Sequence, residues 1–568
     1  MRRTPLVMWD RVVLGVVLVC LAGCGDDASG SGSSTTGTAS GTGPTDGSTT
    51  ADVADGSSTG ETEGPAEDRF EPLRDAVTAY MADANIPGAA IAIIEGGEVT
   101  FAEGFGRKRP DQDDPVLPTT LFRCGSVTKT MTTIALLQQV DAGTVDLDAV
   151  VVDYVPELSF SEDPQWVSQI TVHHVLTHQS GLRDRFPWLG TGDDDELSQW
   201  LVEEYADEGF MWVPPGTMWN YSNPGFTVVG RAIETASGRT YREYLSDRVW
   251  APLGMERTFL QPADVLADGD YASGLKINAL GQPVLYTPED YDHAASRPAG
   301  LAFTHVGDLA KLIGFLRAGN PDVLSEEGRR RMATAYVDTE EIPGWQFYGY
   351  GLFAQRGYWY VPEEPDDTGF MALDFVFHGG DVPGFSADIV YFPSLDFGIA
   401  WLANADRVHV DPVLTVALST RHDLPTPAAP PDFAMDPATL PLYAGTYDEP
   451  RLAGPIEVTW DGTDMRIDYP GLGVAGIDYD PVLLPGTPHN FRLITPEGET
   501  WLAFLHETPV GTRFVRERNA VWSRRAGPSV SIPPADVARS VDEAPRIGPH
   551  RGPTPWSPAG PRTYRARR

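Results

Sequence analysis

The pattern of apolar and polar positions divides the chain into segments of different period. From Glu71 to Ala84 it is that of an amphipathic helix. Ala89 to Ile94 and Glu98 to Glu103 then read as two strands of a hairpin across Gly96-Gly97. Helical patterns follow. One is a run of good helix formers from Ile134 to Val140 that closes at Gly143, and another spans Gly225 to Ser237. Strand patterns return at Phe375–His378, Phe385–Phe392 and Phe397–Ala403. Strands at both ends with helices between them predict an α/β fold, in which one antiparallel sheet is assembled from both ends of the sequence, flanked by helices and carrying a helical subdomain. Beyond Leu424 the pattern changes. Pro425 to Pro441 is a Pro/Ala linker, and residues 442–525 alternate in short strands such as Ile456–Trp460, a turn at Asp461-Gly462, and Met465–Tyr469. This predicts a small C-terminal antiparallel β domain.

The flanks differ in composition. Arg2 and Arg3 precede a short apolar run, Val12 to Leu21, too short for a membrane span, and Leu21-Ala22-Gly23-Cys24 follows it. Residues 25–68 are mostly Ser, Thr, Gly and Asp and lack the apolar side chains to build a core, so a disordered linker is expected. Residues 526–568 read as a disordered Pro- and Arg-rich tail. A formal net charge of −38 argues against a nucleic-acid partner.

Candidate chemistry sits between these flanks. Ser126-Val127-Thr128-Lys129 opens the helical run that closes at Gly143, so Ser126 is expected in its first turn with Lys129 on the same face. A hydroxyl is a weak nucleophile until a base takes its proton, and a lysine desolvated by a buried helix can serve as that base. A second match, Ser273 to Lys276, is interrupted by Gly274 and reads as chance. Tyr221-Ser222-Asn223 lies in a turn-rich loop; its phenol can relay a proton and its amide can hold the lysine or a substrate carbonyl. In His378-Gly379-Gly380-Asp381 an apolar strand runs into two glycines, which let a substrate backbone lie against a strand edge. His174 and His178 are four apart on an expected helix, but no glutamate follows the first, so the zinc-protease pattern fails and neither a metal nor another cofactor is called for. Cys124 reads as a small buried hydrophobe.

Taken in order and at their separations, these motifs resemble the serine β-lactamase and penicillin-binding protein superfamily, on its class C β-lactamase, DD-carboxypeptidase and esterase branch. The resemblance runs from about Arg69 to Asp406 and includes Ile170–Leu182, Pro252–Met255 and Pro298–Leu301. It implies a catalytic domain over residues 69–424 with the β-lactamase/penicillin-binding fold. It also implies an acylated Ser126, Lys129 as its base, Tyr221 sharing proton transfer and Asn223 beside them. His378-Gly379-Gly380 falls where many members carry Lys-Thr-Gly, with the backbone N–H groups of Ser126 and Asp381 as oxyanion hole. The departure is His378. Without a fixed cation there, and with Asp381 adding a negative charge beside the pocket, an ester or D-amino peptide is a better substrate than an anionic β-lactam. If Asp381 helps His378 to hold a proton, that preference should swing toward anions below about pH 6. The C-terminal β domain resembles the lipocalin-like extension of some members. Leu21–Cys24 resembles a bacterial lipobox, which implies lipid on Cys24 and an extracytoplasmic, membrane-anchored protein; an ordinary secretion signal or an uncleaved anchor are the alternatives. A rival reading, a non-catalytic lipoprotein that keeps the fold to bind peptidoglycan or a partner, stays open at this point.

Overall fold

The computed structural model describes residues 68–525, apart from residues 111, 161–163, 279–280, 361–368, 422–423, 430–434, 497, 509–510 and 519. The leader with Cys24, the linker up to residue 67 and the tail from 526 lie outside the described residues. No helix among those described is long and apolar enough to cross a membrane.

An eight-stranded antiparallel sheet forms the frame. Its strands are β1 (Gly88–Glu95), β2 (Glu98–Gly106), β3 (Val337–Asp338), β4 (Gln346–Tyr348), β5 (Phe353–Gln355), β6 (Phe375–Val382), β7 (Phe385–Phe392) and β8 (Phe397–Ala403). They lie in the order β2-β1-β8-β7-β6-β5-β4-β3. The two ends of the catalytic region meet at β1 and β8, from Ala89 opposite Ala403 to Glu95 opposite Phe397. β1 is buried on both faces, and its alternation shows why. Ala89, Ile91 and Ile93 face a core shared with Leu73 and Val77 of α1 (Glu71–Asp83) and with Val413 and Leu414 of the helix Asp411–Ser419. Ala90, Ala92 and Ile94 face the opposite core, which holds Ile134 and Leu137 of α2 (Thr128–Asp141) and Val228 and Ile233 of α3 (Asn223–Ser237). The three short strands β3 to β5 were not legible in the pattern, being two or three residues long.

α2 is buried almost all round although it carries four threonines. Three of the four hydroxyls find acceptors within the protein, Thr128 donating to Gly125 O at 2.7 Å. Thr130 donates to Gly351 O at 2.8 Å and Thr132 to Pro298 O at 2.7 Å. Saturating these groups lets a polar-patterned helix sit in the core. A 3₁₀ turn, Gly125–Val127, precedes it, so Ser126 lies just before the α-helix rather than inside its first turn.

Beyond the linker, eight strands close into a barrel: β9 (Gly445–Asp448), β10 (Ile456–Trp460), β11 (Met465–Asp468), β12 (Val482–Pro485), β13 (Asn490–Thr495), β14 (Gly498–Thr508), β15 (Gly511–Glu517) and β16 (Ala520–Arg524). In β10 the alternation is strict, with Ile456 and Val458 inside and Glu457 and Thr459 exposed. The barrel is seated on the catalytic region. Phe210, Trp212, Val213 and Met218 share a hydrophobic cluster with barrel side chains. Arg516 donates to Trp219 O and, at 2.8 Å, to Thr339 O. Asn490 donates to Glu340 O at 2.7 Å and Arg451 to Met211 O at 2.9 Å.

Candidate active site

Three separate elements converge where the 3₁₀ turn enters α2. Lys129 is fully buried on α2, and its Nζ lies 3.1 Å from Ser126 Oγ. The same nitrogen donates to Asn223 Oδ1 at 2.7 Å and to Ala299 O at 2.5 Å. Burial holds its pKa well below the ordinary lysine value, with the Arg518 charge acting in the same direction and Asp184 against it. A neutral amine has two N–H groups and one lone pair. Asn223 and Ala299 take the two N–H groups, and the lone pair is left for the serine proton.

Tyr221 packs beside this pair. Its ring centroid is 4.8 Å from Lys129 Nζ. Burial pushes its phenol well up, and the Arg518 charge and a hydrogen bond with Ser126 only partly offset that. It therefore stays protonated at neutral pH, which suits a relay to the leaving group more than a phenolate base. His178 stacks on the same ring at 4.1 Å and accepts from Ser222 N at 3.1 Å. His178 does not share a helix with His174. The helix Val172–Leu176 ends before it, His178 has a left-handed φ of 57°, and His174 caps its own helix through Thr171. Its position against Tyr221 had no sequence signal.

Asn223 opens α3, where its N–H is one of the unsatisfied helix-terminal donors. Asp184 accepts it at Oδ1, 2.7 Å, and accepts the Asn223 side-chain Nδ2 at Oδ2, 3.3 Å. The amide is thus turned with Oδ1 toward the lysine. Asp184 was not found from the sequence, since a lone aspartate after Leu182-Arg183 carries no motif.

The strand edge differs from expectation in three ways. First, Gly380 makes room for the protein's own backbone. A Cβ there would sit 2.2 Å from Cys124 O and 2.7 Å from Ser126 N, so the missing side chain is what lets β6 touch the nucleophile turn. Gly125, at φ 50°, makes the reciprocal approach, its would-be Cβ 2.6 Å from Asp381 N. Counting back from the Pro383-Gly384 turn, Val382 pairs with Phe385 and Asp381 with Ser386. In such a hairpin alternate pairs leave their N–H groups outward, which puts the Asp381 N–H on the free edge beside Ser126 N. Second, the Asp381 carboxylate does not face the pocket. It accepts from His409 Nε2 at 2.9 Å, Ser386 Oγ at 2.8 Å and Arg407 N at 2.9 Å. His409 also bonds Asp388 at 2.9 Å, and the two carboxylates hold its pKa well above the usual value against the effect of burial. Third, His378 is buried, bonded to Tyr348 Oη at 3.1 Å and to Gly379 O at 2.6 Å. Burial, the largest cause, lowers it to about 3. It is neutral and turned inward, not a substrate-facing cation, and Asp381 gives it no help.

Other candidates resolve simply. Cys124 is fully buried, its thiol pushed up to about 12 by burial. Ser273 precedes a short strand, Gly274–Ile277, whose Lys276 lies 3.6 Å from Asp406.

A serine held against a buried neutral lysine, with two outward backbone donors beside it, on an antiparallel sheet flanked by helices, defines a serine acyl-transfer enzyme of the β-lactamase fold. The chain belongs to the β-lactamase family, whose model matches residues 73–418. Among curated proteins it is 26% identical over 423 residues to the unguisins hydrolase ungD′ of Aspergillus campestris, covering 66% of this chain and 75% of that one. It is 30% identical over 201 residues to penicillin-binding protein 4 of Amycolatopsis lactamdurans, which is 35% of this chain and 50% of that one. Among solved structures it shares a fold with SurE, with a TM-score of 0.58 at 21% identity over 80% of this chain and 99% of that one. D-amino acid amidase from Ochrobactrum anthropi also shares it, with a TM-score of 0.51 at 21% identity over 62% of this chain and 99% of that one. The protein is a serine hydrolase of the β-lactamase fold.

Proposed function

We propose that this hydrolase works through an acyl-enzyme on Ser126 and acts on neutral esters or D-amino peptides and amides in preference to β-lactams. The observation that carries the first part is the Lys129 amine, fully buried, with both N–H groups engaged and its lone pair 3.1 Å from Ser126 Oγ. Lys129 takes the serine proton as Oγ attacks the carbonyl. The backbone N–H groups of Ser126 and Asp381 hold the oxyanion, where one donor typically matters by roughly 10²–10³-fold. Tyr221 passes its proton to the departing group and is reprotonated by the Lys129 ammonium, which returns the lysine to the neutral amine. Water then repeats the attack on the acyl-enzyme, with the same lysine as base.

The preference rests on charge. His378 is neutral and turned inward, so nothing at this strand supplies the cation that would draw a β-lactam carboxylate. Aromatic side chains stand near the nucleophile turn. The Phe186 ring comes 3.5 Å from where a Cβ on Gly300 would stand, Gly125 is equally near that point, and Trp188 packs on Phe186 at 4.5 Å. An apolar acyl or amine substituent suits those rings. The test uses an aryl ester, a D-Ala-D-Ala peptide and a chromogenic cephalosporin, with mass spectrometry for covalent adducts. Ser126→Ala should lose both turnover and labelling by an acylating probe. Undiminished ester turnover in that variant would remove Ser126 as nucleophile, and a wild type that strongly prefers the cephalosporin would overturn the substrate assignment.

A further inference from the structure

The barrel reaches the catalytic centre through one side chain. Arg518 lies in the turn between β15 and β16. Its Nε and Nη2 donate to Asp184 Oδ2 at 3.2 and 3.1 Å, and its guanidinium lies 4.6 Å from the centroid of Tyr221. Asp184 is the carboxylate that turns the Asn223 amide toward Lys129. A continuous set of hydrogen bonds therefore runs from the barrel to the nucleophile: Arg518, Asp184, Asn223, Lys129, Ser126.

Resting on the hydrolase reading above, we infer that Arg518 is a positioning residue of the active site, supplied by the barrel, which fixes Asp184 and so orients the amide that holds the Lys129 amine beside Ser126.

Two properties of the arrangement carry this. Asp184 is 8% exposed and faces the backbone and side chain of Asn223; without a counter-ion it would be an uncompensated, largely buried carboxylate close to the base. Such a carboxylate favours the charged ammonium, which has no lone pair to accept the serine proton. The guanidinium cancels it with two N–H groups held in a fixed plane on the one oxygen, Oδ2, a geometry that a lysine would not reproduce. The other titratable groups facing Lys129 are Tyr221, which burial keeps neutral, and His178 and His378, both lowered by burial. None of them supplies a charge near neutral pH, so the Arg518–Asp184 pair is what tunes the electrostatics of the base.

The experiment measures the pH profile of kcat/KM and of kcat for the aryl ester in the full chain, with labelling of Ser126 by an aryl fluorophosphonate as an independent check. In Arg518→Ala the acid limb should move up by about 1–2 pH units, and activity on that limb should fall about 10- to 100-fold, in kcat more than in KM. Asp184→Asn should move the limb the other way, since it leaves the cation and removes the anion. The double variant should bring the limb back toward wild type. Arg518→Lys should keep the wild-type limb with a plateau lowered several-fold. Should Arg518→Ala fail to fold, Asp184→Asn and Arg518→Lys decide the matter by the same directions. A labelled wild type whose limb is unmoved in these variants, or moves the same way when either charge is removed, would overturn this inference alone. A wild type that neither turns over nor is labelled would overturn the hydrolase reading and this inference with it.

Discussion

An imidazole and an ammonium differ in when they can carry charge. A lysine at residue 378 would be charged at any working pH. A histidine is charged only near or below its pKa, and burial against Tyr348 and Phe353 has taken His378 to about 3. It is neutral throughout pH 5–8. The ratio of kcat/KM for the aryl ester to that for the cephalosporin should accordingly stay flat, within about twofold, across that range. A ratio that swings toward the cephalosporin by an order of magnitude below pH 6 would show that His378 holds a proton after all. The sequence shows that a histidine stands at this place but not which way its ring turns. That direction is set by Tyr348, thirty residues earlier on a three-residue strand with no pattern of its own. The same holds for Asp381. Its place beside the glycines suggests a charge in the pocket, whereas His409, on the segment after β8, draws the carboxylate to the far side.

Among elements, the pairing of the nucleophile turn with β6 is the most demanding. Two backbones approach within the space a single methyl would fill, and the oxyanion donors belong to those same two backbones. Gly380→Ala should therefore push β6 away from Cys124–Ser126 and widen the oxyanion hole while the sheet itself remains. The expected outcome is a loss of about 10²–10³-fold in kcat with slowed labelling and an unchanged far-ultraviolet circular dichroism spectrum. Wild-type kcat in that variant would mean that the donors lie elsewhere. The long elements, α1, the β1–β2 hairpin, β7 and β8, were legible because ten or so residues of steady period outvote local exceptions. α2 was legible as an apolar helix, and the carbonyls that Thr130 and Thr132 meet show how its polar positions share in the burial. The glycines were legible as a backbone requirement, and the backbone they serve was not.

At the scale of the whole molecule, the barrel and the catalytic region share one hydrophobic cluster and a buried guanidinium, Arg516, that serves two carbonyls of the catalytic region. The two bodies should unfold in a single calorimetric transition. Arg516→Ala leaves those carbonyls without their donor, at a cost of about 1–3 kcal/mol for each buried group. It should lower the midpoint or split the transition in two, and two well-separated transitions in wild type would contradict this coupling. The alternation beyond residue 442 made a small β domain legible, and the family resemblance pointed to a lipocalin-like one. Its seat on Phe210 to Met218 was not legible, because contacts between surfaces more than two hundred residues apart leave no period in either stretch. The bond between Arg518 and Asp184 joins residues 334 apart. The ribosome makes Ser126 long before it delivers Arg518, which meets Asp184 across that whole separation. Strands β1 and β8 can pair once residue 403 has emerged, so the frame can close on an unfinished enzyme. By the inference above, a chain stalled or clipped between the linker and residue 518 would hold its serine in a formed sheet and still lack a tuned base.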